Sequence, residues 1–286
     1  MRSSGLIAAT GGQKGGKVVV TGKDVALTGK AKIDVSGNKG GGTALVGGNA
    51  LGNGPERNAQ TTKVEKNATI VADARTKGDG GQVVVWSDEK TNFDGTITAR
   101  GGSDGGNGGK VETSGKSLKV GDTAQVDTRA SKGIHGQWLL DPEDIVIANN
   151  GYGDISAVTI ISNLVNNDVI IESNGIGSSG GSIYVNDVIS WSSDTMLTLS
   201  SYKSLYVNSE IYFSGDKSGI IFIANRENIL EPYDGYNIYI NSRINGNGNY
   251  SIVNFNKKPI FSRNGKISLV GDLPEVWIDG KNFKII

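Results

Sequence analysis

The feature that most constrains this chain is an apolar spacing that returns several times in its first half. Leu27, Ala31, Ile33 and Val35 stand at i, i+4, i+6 and i+8. Val64, Ala68, Ile70 and Ala72 repeat it, and so do Val120, Ala124, Val126 and Thr128. The first and third copies also match further back, Val18, Val20, Val25 and Leu27 against Val111, Thr113, Leu118 and Val120. A fourth copy follows GGQVVVW at 80–86, with Phe93, Ile97 and Ala99 behind it. Copies open after a Gly-Gly pair at Val18, Val83 and Val111, and more weakly near Ala44.

Within each block the alternation has period 2, so one face is buried and the other is wet. The blocks are short, and Gly, Asn, Asp, Ser and Lys fill the gaps as turn formers. Such a unit cannot bury its own apolar face and must stack on its neighbours. Sequential parallel connections take the right hand. The predicted fold is therefore all-β, a right-handed parallel β-helix, or solenoid. At ~4.8 Å per coil, roughly a dozen coils would make a rod of roughly 55–60 Å. Composition agrees: 43 glycines, 5 prolines and 36% hydrophobic residues in 286 suit many corners around a narrow core. The stretch 47–63 interrupts one copy and is expected as a surface loop leaving the helix.

The repeat changes character after WLLDPEDI at 138–145. Trp138, Leu139 and Leu140 are large for a chain of Val, Ala and Ile. Asp141-Pro142 fixes an extended-then-turn geometry, and Asp144 is expected to close an Asx turn. This stretch reads as a core plug and joint. It divides Gly-rich repeats at 1–135 from a junction at 136–150 and a second β-helical segment at 151–286. In that segment a heptapeptide recurs: IYVNDVI at 183–189, LYVNSEI at 205–211 and IYINSRI at 238–244. If the copies stack, Asn186, Asn208 and Asn241 form a hydrogen-bonded ladder beside an outward tyrosine. Ile161, Leu164 and Val165, with Ser156 or Asp154 as cap, predict one short helix near 156–166. A strand is expected at 168–172. The tail adds short strands and offers Trp277 and Phe283.

Chemical motifs are sparse. The 29 basic and 29 acidic residues cancel without long runs, which removes the footprint of a nucleic-acid binder. No apolar run has the length of a membrane span. Without cysteine there is no disulfide and no thiolate metal site. GGNGGKVE at 105–112 fails as a phosphate loop, since Asp104 replaces the first glycine, Val111 follows the lysine and a strand comes next. It fails as a calcium repeat because Lys110 takes the carboxylate position. His135 stands alone in a GIHG turn. Asp73, Asp88, Asp94 and Asp141 are the acids to watch for convergence, but no local motif groups them. No catalytic, cofactor-binding or metal-binding residue is predicted. Asn67 and Asn249 open Asn-x-Ser/Thr triplets and are the glycosylation acceptors expected in an exported protein.

The run GGKVETSGKSLKVGDTAQVDTRASKGIHGQWLLDPEDIVI, continued by TIISNL and by GGSIYVNDVISWSSDTMLTLSS, resembles filamentous-haemagglutinin-like, high-molecular-weight adhesins, the exoproteins of two-partner secretion in Gram-negative bacteria. The resemblance covers about residues 15–225. It implies a parallel β-helical shaft, export through a dedicated outer-membrane pore protein, and attachment to a glycan or protein receptor of a host cell or another bacterium. It places the chain outside the cell or on the outer-membrane surface. The family's N-terminal secretion domain and signal peptide have no counterpart here, so a fragment is expected. Two other readings remain open at this stage: a polysaccharide-cleaving β-helix enzyme with converging carboxylates, and a haem-utilisation or haemolysin-type exoprotein.

Overall fold

A computed structural model describes residues 1–175, 180–226 and 236–284. The chain divides into two compact units, Met1–Pro142 with Asn166–Asp168, and Glu143–Val165 with Val169–Ile286. Both are built of parallel sheets stacked in a solenoid-like arrangement, consistent with a parallel β-helix.

Unit 1 has three faces, each of five strands. The first sheet contains Arg2–Ser3, Asp24–Leu27, Thr61–Val64, Lys90–Phe93 and Ser117–Val120. The second contains Leu6–Ala8, Lys32–Asp34, Thr69–Val71, Thr96–Thr98 and Gln125–Asp127. The third contains Lys17–Val20, Thr43–Val46, Gln82–Val85, Lys110–Ser114 and Gln137–Asp141. Every coil takes one strand from each sheet, so the repeats pair in register. Leu27, Val64, Phe93 and Val120 form one inward column, and Ile33, Ile70, Ile97 and Val126 another. A third runs Val18, Ala44, Val83, Val111 and ends on Trp138. All are buried, and each Val, Leu, Ile or Phe among them stabilises the stack by about 1.5–3 kcal/mol. Threonines that fall in an inward column are satisfied at the corner: Thr62 Oγ1 donates to the Trp86 carbonyl at 2.7 Å, and Thr91 Oγ1 to that of Ser114 at 2.7 Å.

At the corner before the third sheet of unit 1 a glycine recurs on every coil, in a Gly-Gly pair on all but the last. A Cβ on Gly42 would overlap the Gly16 carbonyl oxygen of the preceding coil; Gly81, Gly109 and Gly136 meet the oxygens of Gly42, Gly81 and Gly109 in the same way. Glycine is required there by space, coil after coil.

The insertion differs from its expectation in two respects. It closes before residue 61, because Thr61–Val64 is already a strand. It also folds back onto the third sheet instead of leaving it. Leu45 and Val84 point outward from that sheet, yet they are only 7% and 0% exposed. Leu51 N donates to the Glu112 carboxylate at 2.9 Å, Asn49 Nδ2 to the Glu56 carbonyl at 2.7 Å, and Asn58 Nδ2 to the Gly52 carbonyl at 2.9 Å. Outward apolar residues on the third sheet give the loop a surface to cover.

Unit 2 repeats the three-faced plan. Its first sheet holds Ile145–Ile147, Ile183–Val185, Leu205–Val207, Ile238–Ile240 and Ile260–Phe261. Its second holds Ile189–Trp191, Ile211–Phe213, Arg243–Gly246 and Lys266–Leu269. The third-sheet strands are Asp168–Glu172, Met196–Ser200, Gly219–Ile223, Ile252–Phe255 and Glu275–Ile278, and Lys281–Lys284 turns back antiparallel on the last. Among the described residues each unit thus makes five coils, ten in all against the roughly dozen expected, since loops and the helix lengthen individual coils. Aromatic rings stack inside the core, Trp191 on Phe213 at 5.1 Å and Phe222 on Phe255 at 5.0 Å.

In the first coil of unit 2 a helix, α1 (Ala157–Leu164), replaces the second-sheet strand and packs on Ile189–Trp191. Ser156 is the N-cap, its Oγ accepting from Thr159 N at 3.2 Å. Asp154 is not the cap; its carboxylate accepts from Val146 N at 2.9 Å. The hydroxyls of Ser193 and Thr195 donate to the Leu164 carbonyl, each at 2.6 Å, and close the other end. The buried apolar face is Ala157, Ile160 and Leu164; of the expected stripe Leu164 is fully buried, Ile161 is half-buried and Val165 is 57% exposed. Packing on Ile189–Trp191 decides which side of the helix is covered, and Val165, just past the last helical residue, is left outward. Among the described residues no helix is long and apolar enough to cross a membrane.

Candidate functional site

The most regular outward surface lies on the first sheet of unit 2. Tyr184, Tyr206 and Tyr239 occupy the same register on three consecutive coils. The backbone ladder continues one residue further, with Asn186 N, Asn208 N and Asn241 N donating to the preceding coil at 2.9, 2.9 and 2.8 Å. That fixes the three asparagines at the interstrand spacing. Asn208 Nδ2 donates to Asn186 Oδ1 at 2.8 Å, and Asn241 Nδ2 to Asn208 Oδ1 at 2.8 Å. The tyrosine rings stack beside them, with centroids 5.0 and 4.8 Å apart and planes 2° and 4° from parallel. Ring faces cover one another and amides bond along the axis. The strip therefore presents ring edges, phenol hydroxyls and amide edges to solvent, with no formal charge on its six ladder residues.

Residues 138–141 lie in Gln137–Asp141, the third-sheet strand of the last coil of unit 1. Trp138 and Leu140 point inward and are fully buried, Leu139 is half-buried on the outer side, and Asp141 is 5% exposed at the strand end, where Pro142 follows. Trp138 Nε1 donates to Thr113 Oγ1 at 2.9 Å, and the ring packs edge-on against Phe93 at 6.3 Å. Asp144 does not close a local turn. Its Oδ1 accepts from Gly181 N and Ser182 N, both at 2.8 Å, just before Ile183–Val185, the strand that pairs with Ile145–Ile147 in the first sheet of unit 2.

The four acids named from sequence stay apart. Asp73 holds Arg100 at 2.6 Å. Asp88 accepts from Trp86 Nε1 at 3.1 Å and Asn58 Nδ2 at 2.9 Å. Asp94 accepts from Thr123 N at 3.1 Å and Thr123 Oγ1 at 2.8 Å. They stand at different corners, and Asp141 ends a strand. No group of three or more His, Asp or Glu residues suited to a metal ion occurs among the described residues.

The two glycosylation triplets differ in access. Asn67 is exposed on a turn and Thr69 is half-buried on the outer side of its strand. Asn249 is also exposed, but Ser251 is fully buried and its Oγ accepts from Gly248 N at 2.8 Å.

One structural residue escaped sequence reading. Asn167 is fully buried in unit 1. Its Oδ1 accepts from Thr128 N at 2.7 Å and Thr128 Oγ1 at 2.8 Å, and its Nδ2 donates to the Val126 carbonyl at 2.9 Å. The amide thus takes the place of the next parallel strand at the end of the second sheet. The only signal was an Asn-Asn pair behind the helix.

No family model matches this sequence, and no curated protein matches it.

Proposed function

We propose that the chain is a structural and adhesive shaft segment of a secreted or surface-exposed bacterial exoprotein, one that mediates attachment to host cells or other bacteria. The observation that carries this reading is the Tyr184–Tyr206–Tyr239 stack with the Asn186–Asn208–Asn241 ladder. A polar, uncharged strip repeated coil by coil suits many weak contacts made at once. The separation of the acids, three of them engaged at different corners and Asp141 at a strand end, fits a scaffold better than a cleaving enzyme. Export through an outer-membrane pore protein belongs to the same reading, through the resemblance described above.

The test is attachment by the purified chain. Beads coated with it should bind epithelial cells or bacteria better than beads coated with heat-unfolded chain, and soluble chain should compete. Equal binding by folded and unfolded protein would remove the adhesive half of the proposal.

A further inference from the structure

The sequence contains seven Asn-Gly steps, at Asn53, Asn107, Asn150, Asn174, Asn245, Asn247 and Asn264. In such a step the glycine nitrogen can attack the asparagine side chain, because no Cβ shields it. Attack needs a side chain free to turn, an unbonded glycine N–H, and a peptide between them that can rotate. The fold withholds one or more of these from most of the steps. Gly108 N donates to the Ile134 carbonyl at 2.9 Å, and Gly265 N to that of Ser262 at 3.0 Å. Gly248 N donates to Ser251 Oγ at 2.8 Å. Gly246 is buried in a paired strand, and Gly175 is buried and engaged. Asn150 and Gly151 form an exposed turn with φ of 59° and 78°, and Gly151 is engaged too.

Asn53 and Gly54 differ on each count. Both are exposed, in the insertion that folds onto the third sheet of unit 1. Neither the Asn53 side chain nor Gly54 N makes a hydrogen bond. The bond from Asn53 N to the Ala50 carbonyl, at 3.0 Å, holds the step from its N-terminal side. Asn53 is extended, with ψ of 119°. The peptide that must rotate to bring Gly54 N onto Cγ carries no bond of its own. Gly54 also lies close against Asn49, since a Cβ on it would come within 2.4 Å of Asn49 Oδ1. Asn49 Nδ2 is the donor that pins the Glu56 carbonyl, and the Glu56 carboxylate pairs with Lys17 at 2.9 Å.

We propose that Asn53 is a self-modifying site whose conversion loosens the insertion from the third sheet. Gly54 N gives its proton to water or hydroxide and bonds to Asn53 Cγ. The Cγ–Nδ2 bond breaks, and that nitrogen leaves as ammonia. A five-membered succinimide remains. Water then adds to either ring carbonyl, and the ring opens to aspartate or to isoaspartate. Each product puts a new carboxylate into a loop that already rests on Asp88 and Glu112. Isoaspartate also lengthens the backbone by one carbon beside the Asn49 contact. The site does not depend on the attachment reading, since no partner takes part.

The full chain would be aged at mildly alkaline pH and body temperature, folded in one arm and held unfolded in urea in the other. Peptide mapping by mass spectrometry would follow the change from amide to acid at every Asn-Gly step. In the folded arm Asn53 should convert about tenfold faster than the other steps, the margin that one retained hydrogen bond gives. In urea that lead should vanish. Asn53→Gln, which would have to close a larger ring, should show no conversion at 53 and the same melting temperature when fresh. Brief trypsin treatment of the native, aged chains should cut after the exposed Arg57 faster in the wild type than in Asn53→Gln. A different leading step, the same ranking in urea, or equal cleavage of the two aged chains would overturn the proposal.

Discussion

Trp138 shows how a residue can be conspicuous in the sequence and still have its role set by neighbours. Its size against a background of Val and Ala marks it from the sequence alone. Its column does not, because only pairing places it above Val111 and edge-on to Phe93. Trp138→Ala should cost about 3–5 kcal/mol through the cavity it leaves. Urea unfolding would show this as a lower midpoint, and a loss under about 1 kcal/mol would mean the site collapses freely. Asn167, which escaped the sequence reading, and Asp144, whose partners it misplaced, belong to the opposite class. Asn167 and Asp144 look like ordinary turn formers, and each acts on backbone 37 to 41 positions away. No local pattern encodes a partner at that distance. The carboxylates teach the same lesson in reverse, since Asp73 was legible as an acid while its arginine was not.

At the scale of elements, strands and corners were the most legible part. Period-2 blocks between Gly-Gly pairs are the strands of the third and first sheets, in register as the repeat implied. The helix was legible too, but its buried face only in part, because the strand it packs on, Ile189–Trp191, lies a coil further along the chain. The insertion was legible as an interruption; its closure onto Leu45, Val84 and Glu112 depends on an outward apolar patch that no single strand displays. The ladder is the element whose energetics are most open to measurement. Tyr206 and Asn208 are each central, with a partner on either side. Tyr206→Ala should remove two stacking contacts of about 0.5–1.5 kcal/mol each beyond area burial. A double-mutant cycle between Tyr184 and Tyr206, read by thermal unfolding, should return a coupling of that order. Zero coupling would make the stack a coincidence of register.

For the whole molecule, stability in stacked coils is a sum of each repeat and its neighbours. Interior coils have neighbours on both sides, and end coils do not. Amide exchange should therefore be slowest in strands such as Gln82–Val85 and fastest in Arg2–Ser3 and Leu6–Ala8, whose residues are largely exposed. Uniform protection along unit 1 would contradict this nearest-neighbour picture. By itself the sequence determined the strand period, the glycine corners and the repeat. These follow from sterics and burial within a few residues: a pleated strand shows alternate faces, and only glycine fits where two coils nearly touch. Tertiary structure decided which side chains meet, from the amide of Asn167 standing in for a strand to the guanidinium of Arg100 held by Asp73. Those meetings depend on how many residues each loop spends between coils, and that count sets register without leaving a local mark.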